Sequence, residues 1–256
     1  MAGEPTRVVT ILTLFPEILK AAFGQSILLR AQRKGLFEPR LIDIRDYARD
    51  KHRTVDDKPY GGGSGMVMKV EPIARALAAA RRAGSLGKVY LLTPTGRRFD
   101  QAMAQEMAQA QAFTLLCGRY EGIDQRVEDH LCDGAISVGD YVLSGGEPAA
   151  YVVVDAVMRL VPGVLGAGDS ALLDSFSGGL LDYPHYTRPP RYRSWQVPKE
   201  LLSGHHHQVT VWRREQQIKL TEQRRPDLIR VAESKPHKTQ AESRRLPKRR
   251  KAGGKP

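Results

Sequence analysis

The sequence predicts an α/β fold with a parallel sheet and crossover helices, followed by a small helical domain. In the first 165 residues, short apolar runs alternate with segments of helical periodicity, which is typical of strands joined by helices. From Gly163 to Gly179, glycine and small residues recur without a period, and helical patterns follow. These observations predict two folded parts joined by a linker.

Five apolar runs are the predicted strands: Val8 to Leu14, Arg40 to Ile44, Val89 to Leu92, Phe113 to Cys117 and Gly134 to Val138. The helices predicted between and after them are Pro16 to Arg33, Glu71 to Ala83, Asp100 to Ala110, Gln125 to His130 and Pro148 to Leu160. Three short helices are predicted near the C-terminus: Pro198 to Ser203, His207 to Leu220 and Arg225 to Ala232.

These patterns divide the chain into four predicted segments. Residues 1–165 form the α/β domain, residues 166–180 the interdomain linker and residues 181–234 the small helical domain. Residues 235–256 contain too few apolar side chains to pack, and we expect a disordered basic tail there.

The net charge of +12 is unevenly distributed. Residues 1–179 carry 21 basic and 21 acidic side chains, residues 180–234 carry 10 and 6, and residues 235–256 carry 9 and 1. A neutral domain followed by a basic one favours binding of a polyanion from the C-terminal side. For the tail, charge alone leaves open whether it binds or only solubilises.

The sequence also indicates where the protein works. No apolar run approaches the roughly 20 residues of a membrane-spanning helix, and the N-terminus lacks the pattern of a signal peptide. The two cysteines, Cys117 and Cys132, fit no metal or redox motif, and we expect both to be buried. A cytosolic protein without membrane contact is predicted.

Common nucleotide-hydrolysis and zinc-protease motifs are absent from the sequence. Three consecutive histidines, His205 to His207, make a poor chelating set because neighbours on a helix do not share a face. We therefore predict no metal site.

Three strand ends carry glycine-rich loops: TPTGRRFD (93–100), CGRYEGID (117–124) and SVGDYVLSGGE (137–147). In open α/β sheets ligands bind at the carboxyl ends of strands, so these loops together predict one pocket. The long segment from Arg45 to Lys69 has no apolar period and is interpreted as a functional loop.

Several motifs occur in a fixed order: LFPE, HRTVDDKPYGGGSGM, CGRYEGID, SVGDYVLSGGE, PGVLG, DSF and LLDYPHYTRP. In this order they resemble the bacterial tRNA (guanine-N1)-methyltransferases of the TrmD type, in the SPOUT superfamily. The resemblance extends over about residues 8 to 232. It implies a sheet with helices on both faces and a C-terminal trefoil knot, a rare exception to unknotted topology.

The resemblance implies that the knot loops bind S-adenosylmethionine, the methyl donor. The residues that match the donor site are Pro94, Gly118, Glu121, Val138, Gly139, Asp140, Tyr141, Val142, Leu143, Gly145 and Gly146. They lie in the same three loops that the strand pattern singles out.

The resemblance also implies the catalytic pair. Asp174 matches the general base that removes the guanine N1 proton, and Arg159 matches the arginine that stabilises charge on O6. From the residues alone, the favoured interpretations are structural: Asp174 as a helix N-cap or a solubilising linker residue, and Arg159 as a charge at a helix C-terminus.

The implied substrate is the guanine immediately 3′ of the anticodon in tRNA, flipped into the pocket. Asp56, Asp57 and Tyr60 are the expected contacts to that guanine, and His185 and Arg188 the expected contacts to the tRNA backbone. The resemblance further implies a homodimer with the active site at the subunit interface. It also raises Mg²⁺ as an assisting ion, although no carboxylate cluster has suitable spacing.

Two other functions fit the sequence less well. Another SPOUT methyltransferase, acting on ribose or ribosomal RNA, is not expected to carry HRTVDDKPYGGG, DSF and PHYTRP together. An inactive RNA-binding protein is disfavoured because both Asp174 and Arg159 are present. Four features depart from the motifs usual in the family that the sequence resembles: Ser64, the proline of GGEPAAY, His205 and the basic tail.

Overall fold

A five-stranded parallel sheet forms the centre of the first part of the chain. The computed structural model describes residues 6–84, 86–165 and 174–229. The chain divides into two compact units, residues 1–172 and 173–256. The linker residues 166–173 and the predicted tail 235–256 lie outside the described residues.

The spatial order of the sheet is β2-β1-β6-β5-β7. Its strands are β1 (Arg7–Thr13), β2 (Phe37–Asp43), β5 (Lys88–Arg98), β6 (Ala112–Cys117) and β7 (Gly134–Ser137). Two-residue strands, β3 (Asp56–Asp57) and β4 (Val67–Met68), form a separate antiparallel pair. All five predicted sheet strands are confirmed, with ends shifted by a few residues.

Side chains of the sheet alternate between two apolar cores. Val9 and Ile11 of β1 face one core, whereas Leu12 faces the other. The first core is covered by α1 (Pro16–Phe23), α2 (Ser26–Arg33), α4 (Gln101–Gln109) and α6 (Glu147–Met158). The second is covered by α3 (Val70–Ala83) and α5 (Gln125–Leu131). The prediction of an α/β fold with helices on both faces is confirmed.

The predicted single helix from Pro16 to Arg33 is wrong, because the chain forms two helices there. Gln25 is extended and Ser26 has a φ of 51°, which ends helical geometry after Gly24. The Gln32 side chain donates a 2.7 Å hydrogen bond to the Phe23 carbonyl at the end of α1. The break lets both helices turn apolar side chains toward one core.

Strand β5 is longer than the predicted run from Val89 to Leu92, because it continues to Arg98 after an irregularity. Its pairing with β7 shifts register between Leu92 and Arg97. The intervening segment, which includes Pro94, is therefore a bulge within a strand and not the loop that the sequence suggested.

The segment from Arg45 to Lys69 contains more regular structure than predicted. A 3₁₀ turn spans Ile44–Tyr47, and the β3–β4 pair follows. Between them, the Asp50 carboxylate accepts hydrogen bonds from the Thr54 hydroxyl and from backbone N–H groups, which lowers the pKa of Asp50. Val55 is fully buried and anchors the segment on the second core.

Over residues 174–224, the second unit contains a small hairpin and two helices. These are β8 (Arg191–Tyr192), β9 (Trp195–Gln196), α7 (Lys199–Leu202) and α8 (His206–Arg224). Helix α8 is longer than the predicted His207 to Leu220, and sequence patterns did not predict the hairpin. Of the predicted helix from Arg225 to Ala232, residues 226–229 are helical and 230–232 lie outside the described part.

The two cysteines are free thiols at different depths. Cys117 is buried, and desolvation raises the pKa of its thiol well above the usual value. Cys132 is only half-buried, and burial raises its pKa to about 11. The expectation that both are buried is therefore correct for Cys117 and too strong for Cys132.

Candidate functional site

A cavity of about 330 Å³ opens at the carboxyl ends of β5, β6 and β7. Its walls are the bulge in β5, the loop after β6 and the loop between β7 and α6. Ten of the eleven predicted donor-site residues line it: Pro94, Gly118, Glu121, Val138, Gly139, Tyr141, Val142, Leu143, Gly145 and Gly146. The eleventh, Asp140, is exposed and is not among the lining residues.

The floor of the cavity is formed by closely packed backbone. The N–H of Gly146 donates a 2.9 Å hydrogen bond to the carbonyl of Gly118, which fastens the third loop to the second. A Cβ atom on Gly146 would lie 2.6 Å from the Cα of Cys117. Only glycine permits this approach, and the backbone is left open to the cavity.

The run from Val138 to Leu143 forms an apolar rim. The Ser137 hydroxyl donates to the Gly139 carbonyl at 3.1 Å, and the Tyr141 hydroxyl donates to the Val138 carbonyl at 3.2 Å. Val142 at the tip is 86% exposed. A rim that presents apolar side chains to water provides surface for a ligand with an apolar face.

The first residue of α6, Glu147, forms a buried polar network that sequence reasoning missed. Glu147 is fully buried and accepts a 2.6 Å hydrogen bond from the Thr13 hydroxyl. Its other oxygen lies 2.8 Å from Nη2 of Arg119, a charge contact without the alignment of a hydrogen bond. Arg119 also donates to the Ser144 carbonyl at 3.0 Å and covers the Phe15 ring.

This network joins the ends of β1 and β6 to the start of α6 and to the third loop. The sequence contains two signals from which part of the network could have been predicted. They are a glutamate at the start of an apolar helix and an arginine inside CGRYEGID. A carboxylate at a helix N-terminus is also stabilised by the helix dipole. Neither signal identifies Thr13 as the partner.

The cavity wall carries two further carboxylates, Glu121 and Glu128. Glu128 was not predicted. Because the Arg119 guanidinium is paired with Glu147, these carboxylates give the cavity wall a local excess of negative charge. Such a wall favours a ligand that carries positive charge.

The cavity is connected through the backbone to the segment from His52 to Met66. The N–H of Glu121 donates to the Met66 carbonyl at 3.0 Å, and the N–H of Met68 donates to the Gly122 carbonyl at 3.0 Å. Asp56 and Asp57 form β3 at the base of this segment, and Tyr60 at its tip is fully exposed. The two loops are therefore one hydrogen-bonded structure.

The predicted catalytic residues lie in different compact units. Arg159 is the C-cap of α6 and is half-buried, in the first unit. Asp174 is half-buried in the second unit, where its carbonyl accepts the N–H of Ser177 in a turn. Arg159 thus lies at a helix C-terminus, as expected for a charge that stabilises the helix dipole. Its catalytic role stays a prediction.

The two predicted tRNA-backbone contacts are in the second unit. The His185 ring lies 2.8 Å from the Asp182 carboxylate and packs against Tyr183. Arg188 is exposed and precedes Pro189. Both side chains are accessible, and their role stays a prediction.

The described residues were also compared with the requirements of a metal site and of a membrane-spanning helix. Within residues 6–84, 86–165 and 174–229, His, Cys, Asp and Glu form no group of three or more that could hold a metal ion. Among the same residues, every helix is too short or too polar to cross a membrane.

Comparison with known proteins identifies relatives over nearly the whole folded chain. The family described as tRNA (Guanine-1)-methyltransferase TrmD matches residues 8–231. A protein named tRNA (guanine-N(1)-)-methyltransferase from Geobacter sp. (strain M21) is 54% identical over 219 residues, covering 86% of this chain and 88% of the relative. Proteins of the same name from Geobacter sulfurreducens and Dehalococcoides mccartyi are 52% and 49% identical. These matches cover 87% and 86% of this chain and 91% and 90% of those relatives.

The buried network predicts the effect of removing its charge. Glu147→Gln keeps the side-chain volume but leaves Arg119 without its counter-charge. We expect the free energy of unfolding to fall by about 3 kcal/mol, because breaking a buried ion pair leaves the remaining charge poorly compensated. Urea denaturation followed by circular dichroism measures this change.

A matched control is Glu106→Gln, which removes the same charge from the exposed pair of Glu106 with Lys88. Exposed pairs of this kind contribute about 0.5 kcal/mol. Equal, small losses in both variants would show that the Glu147 pair does not hold the site together.

Proposed function

Because this chain belongs to the tRNA (guanine-1)-methyltransferase TrmD family, we propose that it methylates N1 of the guanine immediately 3′ of the anticodon in tRNA, with S-adenosylmethionine as donor. The observation that carries the donor assignment is the cavity at three neighbouring strand ends. Its lining includes the glycines and apolar residues expected of a donor site. The cytosol, where tRNA is found, is the proposed location.

The cavity has the size and chemistry to hold the donor. Its volume lies at the lower end of the range for small-molecule sites, about 300 to 1,000 Å³. Backbone of the second and third loops lines the cavity, where it can meet an adenine edge, and Tyr141 and Leu143 offer apolar contact. The carboxylates of Glu121 and Glu128 suit a positively charged sulfonium. When bound, the donor supplies an electrophilic methyl group.

A trefoil knot is part of the proposed fold. The match to the family supports it, and two contacts describe the path of the chain in this region. The end of β5 pairs again with β7 beyond the register shift, at Arg97 and Arg98, so that the chain passes closely along β7. The loop after β7 then returns to the end of β6, where Gly146 packs against Cys117.

The proposed chemistry assigns a proton transfer to Asp174. Neutral guanine is weakly nucleophilic at N1, and removal of the N1 proton raises its reactivity. Charge that develops on O6 needs a cation, and Arg159 supplies a guanidinium for that purpose. The partial burial of both residues supports these roles, since electrostatic effects are stronger away from water.

The guanine would be enclosed by the segment from His52 to Met66. Asp56, Asp57 and Tyr60 provide carboxylate and aromatic groups for a flipped base. The backbone bonds that join Met66 to Glu121 support this assignment, because they connect the proposed guanine loop directly to the proposed donor loop. His185 and Arg188 would contact tRNA phosphates from the basic second unit.

A homodimer with the active site at the subunit interface is proposed as the working state. Four apolar side chains on or beside the contacting helices α1 and α6 are 40% to 47% exposed. They are Phe15, Ile18, Tyr151 and Val152. Exposed apolar side chains on two packed helices are suited to cover by a second copy of the chain. Within the described residues nothing supports a Mg²⁺ site.

The donor site predicts a steric effect at its floor. Gly146→Ala places a methyl group against the Cys117 backbone, and the third loop must shift to admit it. We expect the affinity for S-adenosylmethionine to fall about tenfold or more, since overpacking costs about 1 to 3 kcal/mol. Isothermal titration calorimetry measures the affinity. Gly178→Ala, where no atom lies within 4 Å of the added carbon, is the control with unchanged affinity.

The proposed reaction predicts which RNA is labelled. Purified protein with tritiated S-adenosylmethionine should label a tRNA transcript that has guanine 3′ of the anticodon. A transcript with adenine at that position should stay unlabelled, because it lacks the N1 proton and the O6 oxygen. Labelling of both transcripts would sink the assignment of the target.

If Asp174 is the general base, its removal should slow methyl transfer without weakening donor binding. Asp174→Asn should lower kcat by about a hundredfold or more, the usual contribution of a general base, while donor affinity stays unchanged. Single-turnover methylation measures the rate. Asp227→Asn, which alters an exposed aspartate of the same unit, should retain the rate. A wild-type rate in Asp174→Asn would exclude the residue as the base.

A further inference from the structure

The hairpin β8–β9 presents two aromatic rings to solvent. Tyr192 and Trp195 face each other across the strand pair, with ring centroids 5.7 Å apart and planes inclined by 43°. Trp195 is 65% exposed and Tyr192 is 54% exposed. Because tryptophan is usually well buried in folded proteins, this exposure requires an explanation.

The rings are held by a defined backbone framework. The N–H of Val197 donates to the Pro190 carbonyl at 3.0 Å, beyond the paired residues of the hairpin. Arg191 Nε donates to the Arg193 carbonyl at 2.9 Å, at the start of the turn. The hairpin therefore fixes the backbone positions that carry the two rings, which lowers the entropy lost when a ligand binds.

All charged side chains in the sequence that surrounds the two rings are basic. Residues 183–199 contain Arg188, Arg191, Arg193 and Lys199 and no aspartate or glutamate. The Arg193 guanidinium lies 5.3 Å from the centre of the Tyr192 ring. Among the residues that the structure describes, no carboxylate is ion-paired with Arg191 or Arg193.

We propose that this hairpin is a stacking platform for an unpaired base of the RNA substrate. In this arrangement a base lies on the Trp195 and Tyr192 rings, and Arg191 and Arg193 contact the adjoining phosphates. Exposed aromatics combined with arginines are the groups that bind single-stranded nucleotides, because every base has a π face. The platform rests on the proposed function, which supplies tRNA as the substrate.

A protein partner is the less suitable occupant of this surface. The fully buried centre of a protein interface is depleted in charge, whereas here Arg191 and Arg193 lie on either side of Tyr192 in the sequence. A polyanion neutralises these arginines and covers the rings at the same time. The combination of flat apolar faces and cations therefore favours RNA.

Tryptophan fluorescence tests the contact directly, because the chain has only two tryptophans. Trp212 is 9% exposed and packs against Tyr186, so acrylamide reaches mainly Trp195. Addition of the tRNA transcript should quench the emission and protect it from acrylamide. A fully paired RNA duplex with capped ends offers no unpaired base and should give neither effect.

Substitution tests the energetic contribution. Trp195→Ala should weaken tRNA binding about tenfold, since stacking contributes about 1 to 3 kcal/mol per base, whereas Trp195→Phe should keep most of the affinity. The Trp195→Ala variant should have a raised KM for tRNA and an unchanged kcat at saturating tRNA. Val211→Ala removes another exposed apolar side chain of the same unit and should change nothing.

Salt dependence separates stacking from charge. Trp195→Ala should lower affinity by the same factor at each salt concentration, because stacking releases no counterions. Arg191→Ala should reduce the slope of log affinity against log salt by about one. If Trp195→Ala binds tRNA like the wild type, or if the duplex protects Trp195 as well as tRNA does, the platform is excluded.

The two proposals fail in different ways. If the wild type labels the guanine-containing transcript and Trp195→Ala has the same KM, only the platform is wrong. If the wild type labels no transcript, the proposed function fails before the variant is considered. Unchanged circular dichroism and donor affinity in Trp195→Ala show that its folding is intact.

Discussion

The cavity depends on how one buried carboxylate is neutralised. Glu147 has no contact with water, and it is held by the Thr13 hydroxyl and the Arg119 guanidinium. A carboxylate in this position is costly unless it is paired, so the chain must bring the ends of β1 and β6 to the start of α6. The same contacts fix the loops on either side: Arg119 follows Gly118, and Glu147 follows Gly146. The geometry of the cavity thus depends on satisfying one buried charge.

Hydrogen bonds between loops join the cavity at the sheet edge to the segment from His52 to Met66. Parallel strands bring β5, β6 and β7 to one edge, where glycines let backbone segments touch. Glu121 lies on the cavity wall and is bonded through its backbone to Met66, at the end of the segment proposed to enclose the guanine. The cavity and the segment from His52 to Met66 therefore share one hydrogen-bonded frame in the first unit.

Sequence predicted the sheet and the cavity for a physical reason: buried parallel strands are continuous apolar runs, and strand ends carry the glycines. It was wrong between Pro16 and Arg33, where helical periodicity continues across the break because Leu19, Phe23 and Leu28 all face one core. It missed the pairing of Glu147 with Thr13, since a long-range contact leaves no local pattern. The β8–β9 hairpin was also missed, because two-residue strands are too short to show alternation. The roles of Asp174 and Arg159 came from family resemblance and not from periodicity.

The hydrogen bond between Thr13 and Glu147 also has a consequence for synthesis. The two residues are 134 positions apart, and β1 must pair with β6 across about a hundred intervening residues. Contacts between distant residues form late, because the entropy of closing a long loop is lost before the contact stabilises anything. On the ribosome, β1, β2 and α1 emerge and pack first, before Glu147 has been synthesised. The ligand cavity is therefore among the last parts of the first unit to form, after most of its sheet exists.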